Sequence, residues 1–321
     1  MAPQPELLGI HHITAMCGDP QANVDFYCGV LGLRLVKVTI NYDDPSTYHL
    51  YYGDGLGRPG SLFTTFPWPS SYRGTPGLGQ VETVAYSVPR GAQGFWKERL
   101  TTKGIPFSTN LNALNESVLS LTDPDGMNVE IIESANDGRS AAAWDGLGDD
   151  VAIRGFHSAA LASARPNESA IFLTDTLGFR EIHNDGETIR FEVGAGGAGA
   201  FIDIIDRPGR DFGRMGGGTV HHIAFRTEND QVSEQWRQVI SANGRQVTPI
   251  VERNYFRSVY FREPGGVLYE LATDPPGMTY NEPLEELGTS LMLPPWLEER
   301  REEIESVLPT FTSPTGVRFP R

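Results

Sequence analysis

The stretch GIHHITA, residues 9–15, recurs in almost the same form as TVHHIAF, residues 219–225. Each copy holds two adjacent histidines followed by residues that favour strands, so four of the seven histidines stand in one repeated pattern. Neighbouring residues of a strand point to opposite faces of the sheet. If both stretches are strands, one histidine of each pair faces inward, and the two inward histidines can belong to one site.

Two further stretches fit the same pattern, QVETVAYSV from residue 80 and RGFHSAAL from residue 154. Each of the four stretches precedes a possible helix and then several strand-rich segments. The glycine in VLGLR and in TLGFR suits a helix end. The second histidine position reads His12, Thr83, Ser158 and His222, with spacings of 71, 75 and 64 residues. Such an internal repeat predicts an α+β fold built from four βαβββ modules.

We expect consecutive modules to pair, each pair closing a curved-sheet barrel around a cavity. Modules at about 9–70 and 80–135 would form an N-terminal domain, residues 1–145. Modules at about 152–207 and 218–275 would form a C-terminal domain, residues 146–280. Residues 281–321 are a C-terminal extension with an amphipathic helix, whose apolar stripe holds Leu297, Ile304 and Leu308.

Composition limits the partners. Subtracting 41 acidic from 26 basic residues gives a net charge of −15, which argues against nucleic acid or an anionic membrane surface. Two cysteines, Cys17 and Cys28, imply no disulfide framework. No signal peptide or membrane-spanning run is evident, so we expect a cytoplasmic protein. The oligomeric state stays open, with a homo-oligomer among the possibilities.

The four modules resemble the vicinal oxygen chelate superfamily, which includes extradiol ring-cleaving dioxygenases, glyoxalase I and bleomycin resistance proteins. The resemblance covers about residues 9–275. Two segments are most similar to the hydroquinone ring-cleaving branch: FYCGVLGLRLVKVTINYDDPSTYHLYYGD, residues 26–54, and LPPWLEERREEIESVLP, residues 293–309. The resemblance implies a non-haem Fe(II) enzyme, with Mn(II) as an alternative metal, that takes a small aromatic substrate and O2.

Comparison of the modules suggests the metal ligands. The closing hairpins TDPDGMNVEII and REPGGVLYELA align Glu130 with Glu270. His157 aligns with His11 and His221 instead of with the second histidine position. The set that remains is two histidines and one carboxylate, which is typical of non-haem Fe(II) oxygenases. We therefore predict a single metal centre ligated by His12, His222 and Glu270.

The other modules lack a complete ligand set. Glu130 has Thr83 where a histidine would be needed, so we expect the second cavity to be vestigial. In the first module, RPGSLFTTF places Thr65 at the carboxylate position, and the third module offers Asp203 in an uncertain register. Glyoxalase I-type sites use a second glutamate, and Thr65 cannot supply one, which favours a dioxygenase.

Several residues are expected around the metal. Tyr260 would lie opposite Glu270 in a symmetric hairpin, and the resemblance implies that it hydrogen-bonds a metal-bound substrate oxygen. Thr14, two residues from His12, should face the cavity. Arg253 and Arg257 precede the hairpin and could contact an anionic intermediate.

The first histidine of each pair is harder to assign. Strand alternation directs His11 and His221 away from the metal, toward a structural role. The resemblance implies that they act close to the site, and a β-bulge could bring them round. We predict His221 as a catalytic acid or base and His11 as a substrate-binding residue. His49 and His183 have no evident partner, so packing or exposure is expected for both.

The sequence thus favours a ring-cleaving dioxygenase acting on a hydroquinone or a related dihydroxy aromatic, with catechol cleavage as a close variant. Two alternatives stay open. One is a glyoxalase-type isomerase or lyase that uses Zn or Ni and no oxygen. The other is a resistance protein that binds a small molecule without chemistry.

Overall fold

The computed structural model describes residues 5–69, 72–112, 114–142, 144 and 146–320. Four βαβββ modules are present, as the repeat predicts. The elements of the first module are β1 Ile10–Cys17, α1 Pro20–Val24 with a π-helical continuation Asp25–Val30, β2 Arg34–Asn41, β3 Asp44–Gly53 and β4 Leu62–Pro67. Those of the second are β5 Gln80–Pro89, α2 Gln93–Thr102, β6 Phe107–Leu111, β7 Ser117–Thr122 and β8 Asn128–Ser134.

The second half of the chain repeats this order. The third module contains β9 Gly155–Ala162, α3 Pro166–Ile171 with a π-helical continuation Phe172–Thr176, β10 Arg180–Asn184, β11 Thr188–Glu192 and β12 Phe201–Ile205. The fourth contains β13 Thr219–Thr227, α4 Asp230–Ala242, β14 Val251–Glu252, β15 Arg257–Arg262 and β16 Leu268–Thr273. Gly32 and Gly178 follow the helices of modules one and three with φ of +71° and +74°, which confirms the predicted glycine caps.

The strands form two curled sheets of eight strands, which confirms the fold class. One sheet has the order β14-β15-β16-β13-β1-β4-β3-β2, and the other has the order β10-β11-β12-β9-β5-β8-β7-β6. The first sheet therefore joins modules one and four, and the second joins modules two and three. We expected consecutive modules to share a sheet within domains 1–145 and 146–280. This pairing is wrong, because each sheet combines one module from each of these ranges.

The linkers between modules explain this pairing. Residues 73–78, after the first module, run beside residues 212–217, which precede the fourth. Backbone hydrogen bonds join them, including Thr75 N to Arg214 O at 2.9 Å and Arg214 N to Thr75 O at 2.8 Å. Both linkers thus cross together between the two sheets. Because β1 then lies antiparallel to β13, the two histidine pairs meet at the centre of one sheet.

The C-terminal extension packs on the first sheet. A 3-10 turn at Met278–Tyr280 leads into it, and it contains 3-10 turns at Leu284–Glu286 and Pro295–Arg300, followed by α5 Arg301–Val307, β17 Phe311–Thr312 and β18 Arg318–Phe319. Leu297, Ile304 and Leu308 are all buried, as the predicted stripe requires, although the first turn is 3-10 rather than α-helical. Leu291 bridges Val38 at the edge strand β2 and so covers that edge. Among the described residues, no helix is long and apolar enough to cross a membrane.

Candidate metal centre

Two histidines and one glutamate converge at the centre of the first sheet. His12 comes from β1, His222 from β13 and Glu270 from β16, and all three side chains are buried. The two Nε2 atoms are 3.1 Å apart. Glu270 Oε2 lies 3.3 Å from His12 Nε2 and 2.8 Å from His222 Nε2. Within the described part of the chain, this is the one group of three histidine, cysteine or acidic side chains whose ligand atoms lie within 4.8 Å of one another.

The donor set fits a divalent metal. Glu270 Oε1 accepts a hydrogen bond from Ser258 Oγ, whereas the buried Oε2 faces the two imidazoles and has no hydrogen-bond partner among the described residues. Burial alone would raise the pKa of Glu270, but His12 and His222 hold it well below its usual range. Burial lowers the pKa of His222. A carboxylate beside neutral imidazole is the protonation state that metal ligands require.

Two β-bulges explain where His11 and His221 point. The pairing of β1 with β13 skips His11 on one strand and His221 on the other. His11 Nδ1 lies 2.9 Å from His12 Nδ1, and His221 Nδ1 lies 2.8 Å from His222 Nδ1. Each bulge residue therefore contacts the ring of its neighbouring ligand. If Nε2 of each ligand binds a metal, the proton stays on Nδ1, where the ligand can donate it to Nδ1 of the bulge residue.

Tyr260 and Arg253 lie beside the three candidate metal ligands. Tyr260 pairs with Glu270 across the hairpin, as predicted. Arg253 Nε donates to Tyr260 Oη at 3.0 Å, and Arg253 Nη1 lies 3.1 Å from Asp43 Oδ2. Burial, followed by the charge of Glu270, raises the pKa of Tyr260, so this residue remains a phenol. The pair places a protonated hydroxyl and a cation at the edge of the site.

A pocket of about 180 Å³ opens over this centre. Aromatic side chains form much of its wall, namely Tyr42, Tyr51, Phe66, Trp68 and Phe256. His49, His221, Arg253 and Tyr260 add polar groups beside the three ligands. A small, mostly aromatic cavity with a few polar groups suits a flat aromatic molecule.

Three residues predicted to bind substrate do not line this pocket. Thr14 is fully buried, and its Oγ1 lies 2.7 Å from Thr64 Oγ1 beneath the pocket wall. His11 is buried behind His12. Arg257 lies on the other face of β15 from Tyr260, where it pairs with Asp230 and Glu252. For Arg257 the prediction of substrate contact is wrong. Arg257 is three residues before Tyr260 on one strand, so strand alternation places the two side chains on opposite faces of the sheet.

The sequence interpretation missed two residues that contact this site. Ser258 donates to Glu270, and its position two residues before Tyr260 on the same strand face could have revealed it. His49 lines the pocket, although packing or exposure was expected. Its Nε2 lies 2.9 Å from Thr64 Oγ1, and its Nδ1 lies 3.0 Å from Tyr51 Oη. The other unassigned histidine, His183, is partly exposed beside Asp185.

The strand register also corrects one alignment. In β16 the carboxylate Glu270 pairs with Ala224, two residues after His222. The equivalent position in β4 pairs with Thr14, two residues after His12, and it is Thr64 rather than Thr65. Thr65 points to the other face and donates to Asn23. The conclusion that the first module supplies no carboxylate is unchanged.

In the second sheet, an ion-pair network occupies the equivalent positions. Glu130 pairs with Ala85 and Asp203 pairs with Ala160. Both therefore occupy the position that corresponds to Glu270, which determines the register of Asp203 that the sequence left uncertain. Arg190 Nε and Nη2 donate to Asp203 at 2.6 and 2.7 Å, and Nη1 donates to Glu116 at 3.0 Å. A fixed guanidinium thus provides the positive charge among these carboxylates. His157 occupies a bulge position like His221, and its Nε2 lies 3.1 Å from Glu116 Oε1.

Comparison with known proteins agrees with the fold. The sequence profile of the Glyoxalase/Bleomycin resistance protein/Dioxygenase superfamily matches residues 9–131 and 155–271. The chain belongs to this superfamily. The two matched ranges together span the four modules that carry His12, His222 and Glu270.

Two relatives that match nearly the whole chain are named as dioxygenases. The chain is 44% identical over 305 residues to the Bacillus subtilis (strain 168) protein named "Putative ring-cleaving dioxygenase MhqO", covering 95% of this chain and 96% of that protein. It is 36% identical over 306 residues to "Chlorohydroquinone/hydroquinone 1,2-dioxygenase" of Sphingobium indicum, covering 92% and 94%.

Solved structures show the same architecture. A crystal structure described as a "putative dioxygenase" from Bacillus subtilis matches with a TM-score of 0.92 and 43% identity, covering 96% of this chain and 98% of that chain. Glyoxalase I from Zea mays matches with a TM-score of 0.60 and 14% identity, covering 83% and 92%. The second likeness concerns the fold alone.

Proposed function

We propose that this protein is a non-haem Fe(II) ring-cleaving dioxygenase that inserts O2 into a hydroquinone or a related dihydroxy aromatic. Cleavage would be of the extradiol type, between a hydroxylated ring carbon and a neighbouring carbon that carries no hydroxyl. The observation that carries the proposal is the His12–His222–Glu270 group at the base of an aromatic-walled pocket. The hydroquinone dioxygenase named above supports the substrate class.

The three ligands would hold the metal through two imidazole nitrogens and one carboxylate oxygen. When bound, Fe(II) supplies the one-electron chemistry that reaction with O2 requires. The protein contributes the orientation of these ligands. Ser258 fixes the Glu270 carboxylate, and His11 and His221 fix the two imidazole rings.

Tyr260 is suited to donate a hydrogen bond to a substrate oxygen. Its own oxygen already accepts a hydrogen bond from Arg253 Nε, so its proton is available toward the pocket. The Arg253 guanidinium also lies 5.2 Å from the centre of the Tyr260 ring. Its positive charge stabilises negative charge that develops on a substrate oxygen nearby.

His221 is suited to donate a hydrogen bond to a substrate or product oxygen. With a metal on Nε2 of His222, that ring would carry its proton on Nδ1 and donate it to His221 Nδ1, which would leave the His221 proton on Nε2. Burial, followed by the nearby His222, lowers the pKa of His221 to about 3, which keeps the ring neutral. Because the half-buried ring lines the pocket, Nε2 can donate to a substrate or product oxygen.

The first module distinguishes this proposal from a glyoxalase-type reaction. Thr64 stands where a second glutamate ligand would be needed, and its hydroxyl is engaged by His49 and Thr14. The protein therefore offers three ligands to the metal, which leaves room for both substrate and O2. Aromatic side chains on the wall, Phe66 and Phe256 among them, favour a planar ring.

Metal reconstitution tests the proposal. Metal-free protein is loaded anaerobically with Fe(II), Mn(II) or Zn(II), mixed with hydroquinone and then aerated. With Fe(II), we expect one O2 to disappear for each ring opened, measured by oxygen electrode and by mass spectrometry of the product. Zn(II) has no accessible redox state, so that form should be inactive. Loss of activity in air should be reversed by ascorbate plus Fe(II). Turnover by the Zn(II) form without oxygen uptake would instead support the glyoxalase-type alternative.

A further inference from the structure

The two modules of the first sheet place matching side chains on opposite sides of the metal ligands. Tyr260 pairs with Glu270 in the fourth module, and Tyr51 pairs with Thr64 in the first. Thr64 is the counterpart of Glu270, so Tyr51 is the counterpart of Tyr260. In the sheet order, β15 and β3 lie equally far from the central strands β13 and β1. The two tyrosines therefore form opposite walls of the pocket.

The residue two positions before each tyrosine supports its wall. Ser258 precedes Tyr260 and donates to Glu270. His49 precedes Tyr51 and lies 2.9 Å from Thr64 Oγ1 through its Nε2. In the first module, a histidine and a threonine thus take the places of the serine and the metal-binding glutamate.

The hydrogen bonds on the first-module wall leave one group available to a ligand. Both ring nitrogens of His49 are engaged, Nε2 by Thr64 and Nδ1 by Tyr51 Oη at 3.0 Å. Thr64 is also engaged by Thr14. The Tyr51 hydroxyl makes this one hydrogen bond among the described residues, although a phenol hydroxyl can donate one and accept another. Its remaining capacity lies on the wall of the pocket.

The two walls differ in charge. On the fourth-module wall, Arg253 places a cation on the Tyr260 hydroxyl. On the first-module wall, the Tyr51 hydroxyl meets the imidazole of His49, whose pKa is lowered well below its usual value by burial and then by His12 and His222. The first wall therefore suits a neutral hydroxyl, whereas the fourth suits an oxygen that carries negative charge.

We propose that the Tyr51 hydroxyl binds the substrate ring hydroxyl that does not contact the metal, and that His49 positions Tyr51 for this contact. The inference rests on the proposed function, since it takes a dihydroxy aromatic as the ligand. One substrate oxygen lies beside Glu270 and Tyr260, and the other is directed to the first-module wall. Tyr51 would thereby select aromatics with two hydroxyls over those with one.

Two ligands that differ by one hydroxyl test the assignment. Fe(II)-loaded protein is titrated under nitrogen with hydroquinone and with phenol, and both dissociation constants are measured by calorimetry. A hydrogen bond of ordinary strength predicts that the wild-type protein binds hydroquinone about tenfold more tightly than phenol. In Tyr51→Phe this ratio should fall close to one, because hydroquinone binding weakens while phenol binding does not.

Two other tyrosines serve as controls. Tyr260→Phe should weaken both ligands alike and keep their ratio, because it contacts the oxygen that they share. Tyr48 lies on the same strand as Tyr51 but faces the core, where its hydroxyl has no hydrogen-bond partner in the described part of the chain. Tyr48→Phe should therefore leave both constants unchanged.

Two amide variants of His49 test its positioning role. An asparagine amide can take the place of Nδ1, and a glutamine amide can take the place of Nε2. His49→Asn should therefore keep the contact to Tyr51 and most of the preference for hydroquinone. His49→Gln keeps only the contact to Thr64, so it should lose that preference with iron content unchanged.

The results separate the two proposals. If the wild-type protein binds neither hydroquinone nor phenol, the proposed function fails and the Tyr51 contact fails with it. If hydroquinone binds but Tyr51→Phe keeps the tenfold preference, or if the wild type shows none, the assignment of Tyr51 alone is overturned. Equal loss of preference in both His49 variants would overturn the positioning role of His49.

Discussion

Removing the charge of Arg190 should destabilise the fold and leave the metal centre intact. Arg190 is 5% exposed, and its guanidinium donates two hydrogen bonds to Asp203, itself 7% exposed. Methionine keeps the length and apolar stem of this side chain but removes every donor. Asp203 would then be a buried carboxylate without its cation, which typically costs about 3–5 kcal/mol. Glu116 is partly exposed and keeps His157 and Asn112, so we expect the lower end, about 3 kcal/mol.

Urea unfolding followed by circular dichroism measures the change, and iron analysis of the same samples reports the metal centre. The double variant Arg190→Met/Asp203→Leu should recover about 2 kcal/mol relative to the sum of the single changes, because no charge is left unpaired. Arg165→Met is the matched control, since Arg165 and Glu168 form an exposed pair, and it should change stability by less than about 0.5 kcal/mol. A loss below about 1 kcal/mol in Arg190→Met, or loss of iron, would refute the view that this arginine stabilises the second cavity.

Three further predictions concern the candidate metal ligands, the Tyr260 hydroxyl and pH. Alanine in place of His12, His222 or Glu270 should abolish tight iron binding. His157→Ala should keep the wild-type iron content, as measured by metal analysis of the purified variants. Tyr260→Phe should keep its iron and turn over about 10²–10⁴-fold more slowly, and an unchanged kcat would show that the hydroxyl is structural. Burial would raise the pKa of Glu116, but His157, Asn112 and Arg190 lower it to about 2, below the ordinary 4.5. This carboxylate therefore stabilises the fold above about pH 4.5, and its contribution is lost as the pH falls toward 2. At pH 7, Glu116→Gln should lower the free energy of unfolding by on the order of 1 kcal/mol. The difference between the variant and the wild type should disappear between about pH 4.5 and 2.

The grouping of His12, His222 and Glu270 could be predicted from the sequence because it depends on local patterns. Strand alternation and repeat register are properties of short segments, and they suffice to separate His12 and His222 from His157. Hairpin symmetry placed Tyr260 opposite Glu270 in the same way. Regular alternation fails at the β-bulges. It directs His11 and His221 away from the site, whereas the bulges in β1 and β13 bring both rings against His12 and His222.

Module pairing, by contrast, was decided by tertiary structure. Each module presents similar strands, so the sequence does not specify which two share a sheet, and chain proximity favoured the wrong pairs. Hydrogen bonds between the two crossing linkers, and between β1 and β13, determine the pairing that brings His12 to His222. The contacts of His49 likewise depend on β3 lying beside β4, which placed its imidazole against Thr64 at the pocket wall. The sequence by itself determined which residue types occupy each repeat position, and only the packing of distant segments decided which of them meet.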